Sequence, residues 1–121
     1  MRACLLFPFV LAGCESELCA LLGEYQGGFE GDAEGAVVLV VEEDPENPGQ
    51  ATAGMTLDAE DGSLQGDGSG IVTCSSGELT VDLRDGLTGA EIGEATGTLA
   101  GDGGGGDWSL LSGESGTWTV Q

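Results

Sequence analysis

The side chains in this sequence that could do chemistry are almost all carboxylates. The 121-residue chain has 22 Asp and Glu residues, two Arg or Lys and no His, for a formal net charge of −20. The segment 101–107, GDGGGGD, has a composition that would suit a calcium-binding turn, with Asp102 and Asp107 as weak candidate ligands. It matches the repeat G-G-x-G-x-D-x-U-x only in part and occurs once, whereas calcium-binding β-helices stack many copies. We therefore expect an ordinary Gly–Asp turn here, and no metal site.

The same composition argues against most enzyme classes. Serine, cysteine and Schiff-base mechanisms rely on His or Lys as the activating base or the nucleophile, and both cations of this chain are arginines, Arg2 and Arg84. Nucleic-acid binding needs clustered Lys and Arg, which are absent. The sequence predicts a protein that is not an enzyme and uses no cofactor. A basic protein or divalent cations are the partners that its charge would attract.

The first fourteen residues, MRACLLFPFVLAGC, have the parts of a secretory signal: a basic start, a short apolar run and small residues at the end. The apolar run is too short for a membrane-spanning helix, which needs about 20 residues. Its last four residues, Leu11-Ala12-Gly13-Cys14, resemble the lipobox of bacterial lipoproteins, in which the cysteine thiol is acylated and the chain is cut before it. The resemblance implies a signal peptide at 1–13, lipidation of Cys14, and a lipid bilayer as the partner of the acyl chains.

The lipobox resemblance also implies a location and a role for each cysteine. Family members lie in the bacterial envelope, and Glu15, in place of the aspartate that retains lipoproteins at the inner membrane, favours the outer membrane. Cys4 would leave with the signal, so Cys19 and Cys74 would remain in a compartment that permits disulfides. We predict a Cys19–Cys74 disulfide, worth about 4 kcal/mol of stability. Residues 14–22 would form a tether and 23–121 one domain.

The sequence pattern of residues 23–121 indicates an all-β domain. Turn signals rich in Gly, Asp, Asn and Ser recur along it, a pattern typical of a β-meander, and no amphipathic helix of ordinary length is present. The high glycine content, 24 residues, also raises the possibility of disorder, against which the strand-like alternation, the aromatic residues and the predicted disulfide argue. We predict a small up-and-down antiparallel barrel, with a β-sandwich as the alternative. The eight expected strands are 24–30, 36–42, 51–58, 63–72, 78–83, 91–99, 107–111 and 117–121.

Local patterns give further expectations for individual strands. The apolar run at 36–42 should be covered on both faces, whereas 51–58 alternates and should bury its odd-numbered residues. Glycines recur on one face of 63–72 and of 91–99, which suits a tightly curved sheet. Trp108 and Trp118 should lie directly opposite each other, with the last hairpin centred on Gly113 and both side chains in the core.

These features leave three expectations for function. The first is a non-enzymatic, lipid-anchored envelope lipoprotein with a structural or protein-interaction domain. The second is a binder or inhibitor of a basic envelope protein, such as a cell-wall hydrolase. The third is a weak binder of divalent cations such as Ca²⁺.

Overall fold

The computed structural model describes residues 19–121, which form eight β-strands connected by short turns. Within this range, no helix is long and apolar enough to cross a membrane. The strands are β1 (Gly23–Gly31), β2 (Gly35–Glu43), β3 (Gln50–Ala59), β4 (Gln65–Thr73), β5 (Glu78–Asp85), β6 (Glu91–Ala100), β7 (Gly103–Leu110) and β8 (Ser115–Val120).

Each strand pairs antiparallel with the next in sequence, and β1 also pairs with β8, so the sheet closes into an up-and-down barrel. The predicted barrel is confirmed, and the sandwich alternative is not. Closure leaves no sheet edge with free backbone groups. The pairing of β5 with β6 shifts at Leu83/Arg84, which marks a β-bulge.

One face of every strand points into the barrel, because side chains alternate along an extended chain. In β3 the odd-numbered residues from Ala51 to Ala59 are buried and the even-numbered ones are exposed, as predicted. The largest side chains of the core are less than 2% exposed: Trp108, Trp118, Leu39, Met55, Leu57, Leu79, Leu83, Val37, Val72 and Val81. A continuous apolar interior therefore holds the barrel together.

The expectation that β2 would be covered on both faces is wrong. Val37, Leu39 and Val41 are buried, but Val40 on the opposite face is 38% exposed. The physical reason is that a single closed sheet has one inner face and one outer face. No second layer of the described structure covers the outside of β2.

The expectation that 101–107 forms a turn is also wrong for most of the segment. Only Gly101 and Asp102 lie in the turn, and β7 begins at Gly103. The glycine run continues as a strand because its residues pair in register with β6 on one side and β8 on the other, for example Gly106 with both Gly97 and Trp118. Tertiary pairing overrides the turn preference of Gly and Asp.

The last hairpin differs from its predicted register. Trp108 pairs with Gly116, and Trp118 pairs with Gly106, so the hairpin is centred on Ser112 instead of Gly113. Both tryptophans are in the core, as predicted, but they are not directly opposite. Each indole lies across a glycine of the neighbouring strand, where there is room for a large side chain.

Candidate functional site

The cysteines of the described structure form the predicted disulfide. Cys19 is bonded to Cys74, with 5.4 Å between the Cα atoms and a sequence separation of 55 residues. Cys74 lies in the turn between β4 and β5, so the bond attaches the start of the described chain to that end of the barrel. The lipidation candidate Cys14 lies outside the described residues, as does Cys4.

The segment just after Cys19 packs against the barrel at the same end. Leu21 is only 5% exposed and belongs to the core, and the Tyr25 hydroxyl donates a hydrogen bond of 2.8 Å to the Leu21 carbonyl. Burial, with a smaller contribution from the negative charge of Asp102, raises the pKa of Tyr25. The chain therefore enters the barrel from a fixed position, held by one covalent bond and one buried hydrogen bond.

Two tryptophans occupy much of the barrel interior and bond to its backbone. The Trp108 indole N–H donates to the Glu30 carbonyl and the Trp118 indole N–H to the Thr96 carbonyl, both at 3.2 Å. Trp108 also packs edge-to-face against Phe29, with 5.7 Å between the ring centroids. Both tryptophans are 1% exposed, so they serve as core residues and present no surface on which a ligand could stack.

The glycines beside these indoles are needed for the hydrogen bonds. A Cβ at Gly116 would overlap the Glu30 carbonyl oxygen and lie 2.8 Å from Trp108 Nε1. A Cβ at Gly97 would lie 2.8 Å from Trp118 Cζ2. The inward glycines of the sheet thus have a packing role, which agrees with the predicted tight curvature.

The carboxylates lie on the outside of the barrel. Every described Asp and Glu is exposed except Asp44 and Asp85, which are partly buried. Asp82 lies directly opposite Glu94 in the pairing of β5 with β6, a like-charge pair that is unfavourable in a sheet. Arg84 lies between Asp67 and Glu91 in register, where opposite charges are favourable.

The candidate metal ligands do not come together in a cluster. Asp102 is in the turn before β7, and Asp107 is on the outer face of β7, where it pairs in register with Thr96 and Thr117. Among residues 19–121, no three His, Cys, Asp or Glu side chains form a group that could hold a metal ion. Another acidic turn residue, Asp61, is engaged locally: Ser63 N–H donates to Asp61 Oδ1 at 2.9 Å, and hydrogen bonds from Ser63 lower the pKa of this carboxyl.

Large apolar side chains also reach the surface at two places. Leu87 and Leu111 are 86% and 75% exposed, on the turns after β5 and β7, which lie at the end of the barrel opposite the disulfide. Val40 and Ile71 are 38% and 45% exposed, on the outer faces of β2 and β4. Sequence reasoning identified neither pair. Val40 and Ile71 are far apart in sequence, and only the pairing of β2 and β4 with β3 brings them near each other.

Comparison with known proteins adds no relative: no family model matches the chain, and neither a curated protein nor a solved structure matches it. Any proposal for the function of this protein therefore rests on its fold and its surface.

Proposed function

We propose that this chain is a non-enzymatic, lipid-anchored lipoprotein of the bacterial envelope, whose barrel acts by binding other proteins. The observation that carries the proposal is the division of the barrel into a filled apolar interior and an acidic exterior. The buried tryptophans and aliphatic side chains occupy the space in which larger barrels hold a ligand. Interaction at the outer surface is then the activity that this architecture supports best.

The charge of the surface selects the class of partner. With 22 carboxylates in the chain and Arg84 as the described cation, the field outside the barrel favours the approach of a basic protein and opposes nucleic acid. A cationic envelope protein, such as a cell-wall hydrolase, fits this field. The barrel would then act as its binder or inhibitor, and association should weaken as salt rises because exposed charges are screened.

The lipid anchor is the part of the proposal that rests on Leu11-Ala12-Gly13-Cys14. Acylation at Cys14 with more than one chain would hold the protein firmly on a bilayer, since a single chain gives only marginal binding. The disulfide and Tyr25 attach the chain at the barrel end where β1 begins. The opposite end would then point away from the membrane.

Metabolic labelling with palmitate tests the anchor. We expect label in the wild type and none in Cys14→Ala, with Cys4→Ala as the matched control that keeps its label. Equal label in Cys14→Ala and the wild type would refute the lipoprotein assignment and the outer-membrane location together.

Crosslinking in the intact envelope tests the partner class. We expect the captured proteins to be basic and to be released when ionic strength is raised. Recovery of acidic or neutral partners whose binding does not respond to salt would contradict the electrostatic argument.

A further inference from the structure

The outer wall of β2, β3 and β4 has an uncharged centre, as does the outer row of Thr98, Gly105 and Thr119. It differs from that row because two large apolar side chains, Val40 and Ile71, are exposed there. Cross-strand registers place Val40 opposite Gly54, and Gly54 opposite Ser69. The uncharged outward neighbours on the same strands are Val38, Thr52, Thr56 and Ile71, and the two remaining neighbouring positions are Glu42 and Asp67. We call the seven uncharged residues the β3 wall.

Carboxylates lie around much of the β3 wall, whereas Gln26 and Thr80 are the outer neighbours of Val38 and Ile71, and Arg84 lies beside Asp67. Glu24 pairs with Val40 from β1, and Asp82 pairs with Ser69 from β5. Glu42, Asp58 and Asp67 lie further along β2, β3 and β4 on the same outer face. All five acidic residues are exposed. An uncharged centre that exposes apolar side chains, with charged residues around it, is the usual anatomy of a protein-binding surface.

Neither the backbone conformation nor close neighbours require a glycine at position 54. Its backbone lacks the left-handed conformation that favours glycine, and a Cβ built there would meet no atom within 4 Å. A glycine inside a strand weakens it, and such glycines often mark a point where another molecule approaches closely. Other inward or corner glycines of the sheet, such as Gly116, are instead required by close neighbours.

The missing side chain at Gly54 leaves a hollow between Val40 and Ser69, with Ile71 as a diagonal neighbour. Val40 lies opposite Gly54 on one side of β3, and Ile71 lies on the other side opposite Thr52, two residues further along the strand. The usual spacings of about 10 Å across two strands and about 7 Å along the strand place them about 12 Å apart on a diagonal. With no side chain at Gly54, an apolar side chain of a partner can rest against the backbone of β3 there, beside Val40 and diagonal to Ile71. That partner would bury Val40 and Ile71 at the same time.

We propose that the β3 wall is the docking surface for a basic protein, which inserts an apolar side chain over Gly54 and places Lys or Arg against the surrounding carboxylates. A second copy of the chain is a poor occupant, because it would bring its own carboxylates against the same rim. The inference deepens the proposed function and rests on it, since it names the surface that the basic partner would use.

Two synthetic peptides of equal charge can test the surface. One alternates lysine with leucine over nine residues, and the other has serine in place of each leucine. The full-length protein, purified in neutral detergent and captured through a C-terminal biotin, is titrated with each peptide by surface plasmon resonance. A protein-free channel corrects for binding of peptide to detergent. We expect the leucine peptide to bind the wild type about tenfold more tightly, a difference equal to about 1.4 kcal/mol.

Two variants test whether the preference for the leucine peptide arises at the β3 wall. Gly54→Thr fills the hollow with a β-branched residue that strands favour, so we expect a higher melting temperature together with loss of the tenfold preference. Ile71→Thr removes one apolar flank at an exposed position and should reduce the preference without unfolding the barrel. Thr96→Val, on the outer face of β6, is the matched control and should keep the preference.

Three other results would contradict the proposal, each in a different way. Equal binding of the two peptides would overturn the β3 wall but leave the acidic exterior as a general attractor of basic proteins. A leucine preference that survives in a folded Gly54→Thr would show that the apolar contact lies elsewhere, for example at Leu87 and Leu111. Failure of both peptides to bind would overturn the proposed function and the docking surface together.

Discussion

Two glycine-to-alanine substitutions should change the stability of the barrel in opposite directions, although the chemical change is the same. Gly116 lies under the Trp108 indole and beside the Glu30 carbonyl, whereas Gly54 faces open space on the outside of β3. We expect Gly116→Ala to destabilise the fold and Gly54→Ala to stabilise it.

The magnitudes follow from the local contacts. At Gly116 an added methyl would overlap the Glu30 carbonyl oxygen and displace the indole N–H that donates to it. Loss of a hydrogen bond costs about 0.5–1.5 kcal/mol, and forcing a group into a packed core costs about 1–3 kcal/mol. The free energy of unfolding should therefore fall by roughly 2–4 kcal/mol. At Gly54 no contact is lost, and alanine should add about 0.5–1 kcal/mol by reducing the backbone entropy of the unfolded chain.

Thermal and denaturant unfolding can resolve changes of this size. For a domain of about 100 residues, 1 kcal/mol shifts the melting temperature by roughly 4–8 °C. Gly116→Ala should lower the melting temperature by roughly 8 °C or more, and Gly54→Ala should raise it by at least about 2 °C. The two tryptophans supply the fluorescence signal, since both are buried in the folded state.

Each of the two expected stability changes can be refuted by one outcome. If Gly116→Ala unfolds within about 0.5 kcal/mol of the wild type, the size of a typical neutral surface change, then the neighbouring strands can move apart and the glycine is not needed for the indole hydrogen bond. If Gly54→Ala is instead destabilising, the outer face at that position contains a constraint that the contact geometry does not reveal.

Three further predictions concern the disulfide, a buried hydroxyl and the surface charge. Cys74→Ser should lower the free energy of unfolding by about 4 kcal/mol in non-reducing urea melts, and alkylation of both thiols in the untreated wild type would contradict the bond. Because the pKa of Tyr25 is raised in the fold, its contribution to stability should be complete below about pH 10 and decline as pH rises toward the folded pKa. Tyr25→Phe should flatten that alkaline decline in urea melts above about pH 10, and an unchanged slope would assign it to other groups. Sodium chloride should raise the melting temperature by screening carboxylate repulsion, and Ca²⁺ should act at lower concentrations without saturating. A Ca²⁺ response that saturates at one ion per chain would instead indicate a specific site.

Local sequence patterns were enough to predict the type of fold and much of its core. Alternation in 51–58 assigned the buried face of β3, and the spacing of turn residues gave the number of strands, because both signals lie within a few neighbouring residues. The Cys19–Cys74 bond followed from the lipobox resemblance, which accounted for the other two cysteines. The acidic exterior was set by composition, since a chain with so many carboxylates must expose them.

Only the tertiary structure decided how distant segments meet. The glycine run before Trp108 is a strand because β6 and β8 pair with it, and the last hairpin takes a register that sets each tryptophan over a glycine. The outer face of β2 is exposed because the sheet closes on itself in a single layer. The β3 wall likewise combines residues from three strands. Gly54 at its centre suggests a binding position only because the fold places Val40 opposite it and Ile71 diagonal to it. A sequence shows which residues alternate, but the register between strands depends on the packing of the whole barrel.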